Sequence, residues 1–199
     1  MTRLVLASAS PARLATLRSA GVDPIVQVAG VDEDAIVASL TGRAEPARIV
    51  LELAKAKAHA VVPVSQSPLL IACDSMLLID GQVVGKPHSA EVARQRWRSM
   101  RGRSGVLLTG HWLVAGETEV GRTAQTRVEF ADLTDAEVDA YVATGEPLHV
   151  AGGFTVDGLG GPYVTRIEGD FHNVVGISLP LVRELLAEVG IAWHELRTS

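Results

Sequence analysis

The chain has 199 residues, 47% of them apolar and 21% charged, and a formal net charge of −5. This is an ordinary globular composition, long enough to bury a sizeable core in one large domain or two small ones. The acidic balance argues against broad nucleic-acid binding, no apolar run approaches the roughly 18 residues of a membrane span, and a single cysteine, Cys73, excludes an intrachain disulfide and a Cys-based zinc site.

Leu4 to Ala7 reads as a short buried strand, followed by the polar loop Ser8-Ala9-Ser10-Pro11-Ala12-Arg13. Leu14, Leu17 and Arg18 then open a helix that stops at Gly21. Hydroxyls and an arginine at a helix start suit an anion such as phosphate, because free N–H groups and the positive dipole end lie there. The plainer alternative is a Ser N-cap, Pro in the first turn and a solvated Arg. Ile25 to Val28 looks like a strand, and Gly30-Val31-Asp32-Glu33-Asp34 like an acidic loop. Glu45-Pro46 opens a helix to about Val62.

Leu69 to Cys73 is a continuous apolar run, read as a central strand ending at Asp74. Asp80-Gly81 between Met76–Ile79 and Gln82–Val84 predicts a hairpin. Ser89 caps a helix through Met100, and strands follow near Val106–Val114 and Gln125–Phe130. Thr134 and Glu137 form a capping box for a helix ending at Gly145. Gly152 to Gly161 is a glycine-dense loop, and a last helix runs from about Pro180 to Val189. Alternating helices and strands, with no repeat or linker, give an α/β chain whose sheet is mixed and mostly central.

Among residues able to do chemistry, Asp74 stands beyond the carboxyl end of the most apolar strand, where α/β sheets tend to bind ligands. A carboxylate there is costly without partners, which points to a metal or a proton to move; the alternative is an Asp that caps a turn. On the helix opened by Pro46, Lys57 falls within the apolar stripe of Ile49, Val50, Leu53, Ala54, Ala60 and Val61. It either snorkels to water or points into a site holding an anion. Lys55, on the opposite side, reads as solvated. Gly81 to Lys86 imitates a Walker loop but is one residue short between its glycines, and Pro87 replaces the needed Ser or Thr. Lys86 remains a candidate phosphate ligand. Asp32-Glu33-Asp34 could add a second carboxylate for Mg²⁺ or Mn²⁺, or be a solvated turn. Six histidines lack metal-ligand spacing and read as structural or surface residues.

Together the blocks Leu6 to Arg13, Val31-Asp32-Glu33, Leu53 to Ala58, Cys73-Asp74-Ser75, Gly85-Lys86-Pro87, Gly145-Glu146-Pro147, Ala151 to Phe154 and Val174 to Pro180 resemble the Maf family of nucleotide pyrophosphatases. Their order and spacing cover nearly the whole chain. The resemblance implies a single domain over residues 1–199, with a cleft, similar to the inosine triphosphate pyrophosphatase fold. It implies hydrolysis of a nucleoside triphosphate to monophosphate and pyrophosphate with a divalent metal, Mg or Mn, in the cytoplasm, often by a homodimer, with no nucleic-acid or membrane partner. By position, Asp74 would be the proton acceptor and share metal binding with Glu33. Arg13, Lys57 and Lys86 would hold the phosphates, with Ser8 and Ser10 lining the loop. Ala12, Ser75 and Asp157 fall where the family sets base choice, yet match neither known specificity group, so the base stays open. A competing expectation is a nucleotide-sensing module that acts on cell division through a partner.

Overall fold

The structure is a computed structural model that describes residues 3–28 and 30–197. From the amino end, strand β1 (Val5–Leu6), helix α1 (Pro11–Ser19) and strand β2 (Ile25–Val26) make a parallel crossover unit. Helices α2 (Glu33–Leu40) and α3 (Pro46–Val61) lead to strand β3 (Leu69–Ile79). Strand β4 (Gln82–Val84) folds back on β3, and helix α4 (Ala90–Met100) precedes the long strands β5 (Ser104–Ala115) and β6 (Thr118–Phe130). Helix α5 (Asp135–Ala143), strand β7 (Val164–Glu168) and helices α6 (Phe171–Val175) and α7 (Leu179–Glu188) complete the chain. The sheet order is β2-β1-β3-β5-β6-β7, with β4 on β3. Because β1 pairs in parallel with β2 and β3, while β3–β4 and β6–β7 are antiparallel, the sheet is mixed and the class is α/β. No helix among the described residues is long and apolar enough to cross a membrane.

The chain divides into two compact units. The first holds residues up to Asp74, Thr109–Ala124 and those from Gly176 on; the second holds Ser75–Leu108 and Gln125–Val175. In the first unit, strand alternation sorts side chains between two helical layers. Leu4, Leu6, Leu69, Ile71 and Cys73 pack with Leu17 of α1 and Val182, Leu185 and Leu186 of α7. Val5, Ala7, Leu70 and Ala72 pack with Ala58 and Val61 of α3. Residue 74 shares the parity of 70 and 72, so Asp74 faces α3. The second unit is built around Trp97, fully buried against Phe130, Tyr141 and Tyr163 in edge-on aromatic contacts.

Local signals in the sequence mostly become the elements they predict. Ser10, Ser89, Thr134 and Ser178 each accept a backbone N–H at the start of a helix. The Asp80-Gly81 turn takes positive φ at both residues, 49° and 76°, as a two-residue hairpin with right-handed strand twist requires.

Strand β6 begins at Thr118 rather than near Gln125, and four further expectations need correction. The acidic loop is in fact the start of α2: the Asp32 side chain caps it by accepting the Ala35 N–H at 2.9 Å, and Glu33 is its first residue. Strand β3 does not end at Cys73 but runs on to Ile79, so Asp74 lies within a strand rather than beyond its end. Helix α1 begins at Pro11, which makes Arg13 a helical residue and not part of the loop. Lys55 is not simply solvated, since its ammonium stands 4.8 Å from the centre of the Trp112 ring.

Candidate active site

Six of the residues singled out by sequence gather in the first unit: Ser8, Ser10, Arg13, Glu33, Lys57 and Asp74. Lys57 comes from the inner stripe of α3, Asp74 from the α3-facing side of β3 and Glu33 from the first turn of α2. The Lys57 ammonium donates to Asp74 Oδ1 at 2.5 Å and lies 2.9 Å from Glu33 Oε1. The side chains of Lys57 and Asp74 are 18% and 11% exposed, whereas Glu33 is 49% exposed. The cluster thus grades from a buried carboxylate, through a half-sheltered cation, to a carboxylate open to water.

Two effects compete at Asp74. Burial pushes its carboxyl above the ordinary range, and the Lys57 charge and hydrogen bond, then the Arg13 charge, push it down. Burial wins, helped by the like charge of Glu33. Asp74 is therefore a carboxylate with raised proton affinity, held by a cation and able to accept a proton. Its neighbour Cys73, pointing to the opposite layer, is fully buried, and desolvation pushes the thiol up to about 12, so it is no nucleophile.

The loop after β1 is ordered from within. The parallel register pairs Val5 with Leu70 and Leu6 with Ile71, which brings residue 8 level with residue 73. Ser8 Oγ accepts from the Ser10 N–H at 3.2 Å and from Arg13 Nη1 at 3.0 Å. Ser10 Oγ caps α1 by accepting the Arg13 N–H at 3.4 Å. Arg13 is turned inward and buried: Nη1 also donates to the Cys73 carbonyl at 2.8 Å, and Nε to the Gly176 carbonyl at 2.7 Å. The alternative of a solvated Arg13 is overturned, because a side chain at the third position of α1 points back over the β1–α1 loop toward β3. Ala12, beside it, is half-buried on α1.

The remaining candidates lie in the second unit. Ser75 is half-buried on β3, Lys86 is exposed after β4, and Asp157 is exposed in a bend of the glycine-dense segment. Sequence reasoning missed what orders that bend. The Glu146 carboxylate accepts from Tyr141 Oη at 3.1 Å, Leu159 N at 3.0 Å and Gly160 N at 3.1 Å, and also from Thr155 Oγ1. Burial pushes Glu146 up, but the hydrogen bonds from Thr155, Leu159, Tyr141 and Gly160 outweigh it and leave the carboxyl below its ordinary value. Its partners are up to 14 residues away, beyond the reach of local capping patterns.

Among the described residues no group of three or more His, Cys, Asp or Glu side chains could hold a metal ion by itself. At Lys57 the carboxylates of Asp74 and Glu33 meet, and both are hard oxygen ligands.

Comparison with known proteins places this architecture. Residues 3–189 match the model of the family described as Maf-like protein. The chain is 56% identical to a nucleoside triphosphate pyrophosphatase of Rhodococcus jostii, the match covering 100% of this chain and 98% of that one. It is 53% identical to the protein of that name in Streptomyces coelicolor, over 98% of this chain and 94% of the other. A solved structure of the Staphylococcus aureus Ham1 protein aligns with 98% of this chain and 93% of its own at 14% identity, with a TM-score of 0.46. With the family model spanning all but the ends of the chain, the protein belongs to the Maf-like family.

Proposed function

We propose that this protein hydrolyses a nucleoside triphosphate to the nucleoside monophosphate and pyrophosphate. The observation that carries the reading is the Asp74–Lys57–Glu33 cluster, a buried carboxylate of raised proton affinity tied to a cation. Full-length likeness to proteins named nucleoside triphosphate pyrophosphatase supports it.

The donor chemistry fits a small divalent cation. Asp74 and Glu33 offer two carboxylates, and Mg²⁺ or Mn²⁺ is commonly held by one or two carboxylates with substrate phosphates and water filling the shell. Asp74 and Glu33 would hold it; when bound, such a cation offsets charge on the triphosphate oxygens. The chain's own residues supply the rest. Water attacks the α-phosphorus, the bond from that phosphorus to the α–β bridging oxygen breaks, and the oxygen leaves as part of pyrophosphate. Asp74 takes the proton of the attacking water, the Lys57 ammonium at 2.5 Å holding its carboxylate in place. Lys57 orients both carboxylates and adds positive charge where negative charge builds on the phosphoryl oxygens. Arg13 and the loop hydroxyls Ser8 and Ser10 form the phosphate-holding side. The roles of Lys86 on phosphate, and of Ala12, Ser75 and Asp157 in base choice, rest on the family resemblance alone. Such substrates belong to the cytosol, and a lone buried cysteine needs no oxidising compartment.

A purely nucleotide-sensing module would have no use for a carboxylate buried at such electrostatic cost, and no other feature favours that reading. The deciding experiment is product analysis over a panel of nucleoside triphosphates with Mg²⁺ or Mn²⁺. Monophosphate and pyrophosphate are expected, with turnover falling at least about a hundredfold in Asp74→Asn. Diphosphate with orthophosphate, or full activity in that variant, would overturn the reading.

A further inference from the structure

His111 is fully buried in the middle of β5, and its face is fixed by parity with Leu113, which packs in the layer beside α7. Its Nε2 lies 2.8 Å from the backbone N of Ser178, and its Nδ1 lies 2.9 Å from the carbonyl oxygen of Thr109. An amide N–H can only donate, so Nε2 is the acceptor. The ring proton is therefore on Nδ1, where it donates to Thr109. This tautomer makes His111 a fixed acceptor for the first residues before α7.

Those residues carry the atom that aims Arg13. Two positions before Ser178, the Gly176 carbonyl accepts from Arg13 Nε at 2.7 Å. Gly176 has φ of 125°, and a Cβ there would lie 3.4 Å from Arg13 Nε, so the segment turns tightly against the guanidinium. From that anchor Arg13 reaches Ser8 Oγ at 3.0 Å and the carbonyl of Cys73, the residue before Asp74, at 2.8 Å. The Arg13 charge is felt at Asp74. Two hydrogen bonds, joined through the backbone of Gly176 to Ser178 and all within the first unit, thus link a buried histidine to the cation of the phosphate side.

We propose that His111 is a positioning residue for the pyrophosphatase reaction: by accepting the Ser178 N–H it holds the Gly176–Ser178 turn that orients Arg13. The proposal rests on the reading of Arg13 as a phosphate-side cation. A merely space-filling His111 would be replaceable by any side chain of similar volume; a positioning His111 needs an acceptor at Nε2.

The test uses the full-length enzyme with its best triphosphate substrate. His111→Phe keeps the volume and removes the acceptor, while the amide oxygen of His111→Gln can still accept the Ser178 N–H. His111→Phe is expected to raise KM about tenfold with a smaller change in kcat, and His111→Gln to stay within about threefold of the parent. In an Arg13→Lys background the Phe substitution is expected to add less than about a twofold effect, because both act on one element. If His111→Phe does not fold, His111→Met replaces it in the same comparison. Parent-like KM in the Phe variant, equal losses in Phe and Gln, or an additive loss with Arg13→Lys would each overturn the proposal. Parent-like KM in Arg13→Lys alone would instead overturn the reading of Arg13 on which it rests.

Discussion

Lys57 Nζ sits between Asp74 and Glu33, so one cation stabilises two carboxylates of very different exposure. Removing it would strand Asp74 as an unpaired buried charge, which is costlier than losing the whole pair. Lys57→Met is expected to lower stability by about 3 kcal/mol at neutral pH, measured by urea unfolding. It should also cut kcat/KM at least about a hundredfold. Adding Asp74→Asn should recover part of that stability, since the stranded charge goes with it; no recovery would show that the loss comes from packing of the lysine stem. Much of this cluster was legible beforehand. Helical periodicity alone put Lys57 on the apolar stripe, and the apolar run before Asp74 marked it as buried. That the two meet was not legible, because it depends on which layer α3 covers. Glu33 opens a helix rather than a loop, and the pattern of Asp32 followed by two acids is a helix-start signal that the run of charge masks.

At the scale of elements, caps and turns follow from residues within one turn of each other, and so α4, α5, α7 and the β3–β4 hairpin match their sequence signals closely. Segments without such signals were missed. Strand β7 and the five-residue α6 carry no strong periodicity of their own, and their identity comes from pairing with β6 and from packing. The bend bearing Asp157 is a similar case, held by Glu146 rather than by its own sequence. The lowered Glu146 carboxyl makes a prediction about acid. A group whose folded value lies below its unfolded value, near 4.5, stabilises fully above that value and loses the contribution as pH falls through the folded one. Below about pH 4.5 the melting temperature of the parent should therefore fall more steeply than that of Glu146→Gln. Parallel curves would remove Glu146 as the clasp of this bend.

For the whole molecule, β3, β5 and β6 each begin in one compact unit and continue into the other without a break. Neither unit is one continuous stretch of chain, so each closes its fold only across the residues of the other. We expect one cooperative transition in urea, with the fluorescence of Trp97, isolated by Trp112→Phe and Trp193→Phe, coinciding with the far-ultraviolet signal. Separate midpoints would establish two independent domains and defeat the single-domain expectation. The amino-acid sequence by itself determined the α/β class, most element boundaries, the caps and the inward face of Lys57, because these depend on neighbours a few positions apart. Only the tertiary structure decided that Arg13 bonds the carbonyl of Gly176, 163 positions away, that β3 carries Asp74 through its middle to face Lys57, and that His111 has a partner at all. Those pairings are set by sheet order and register, which the backbone hydrogen bonds of distant strands establish and which no local pattern encodes.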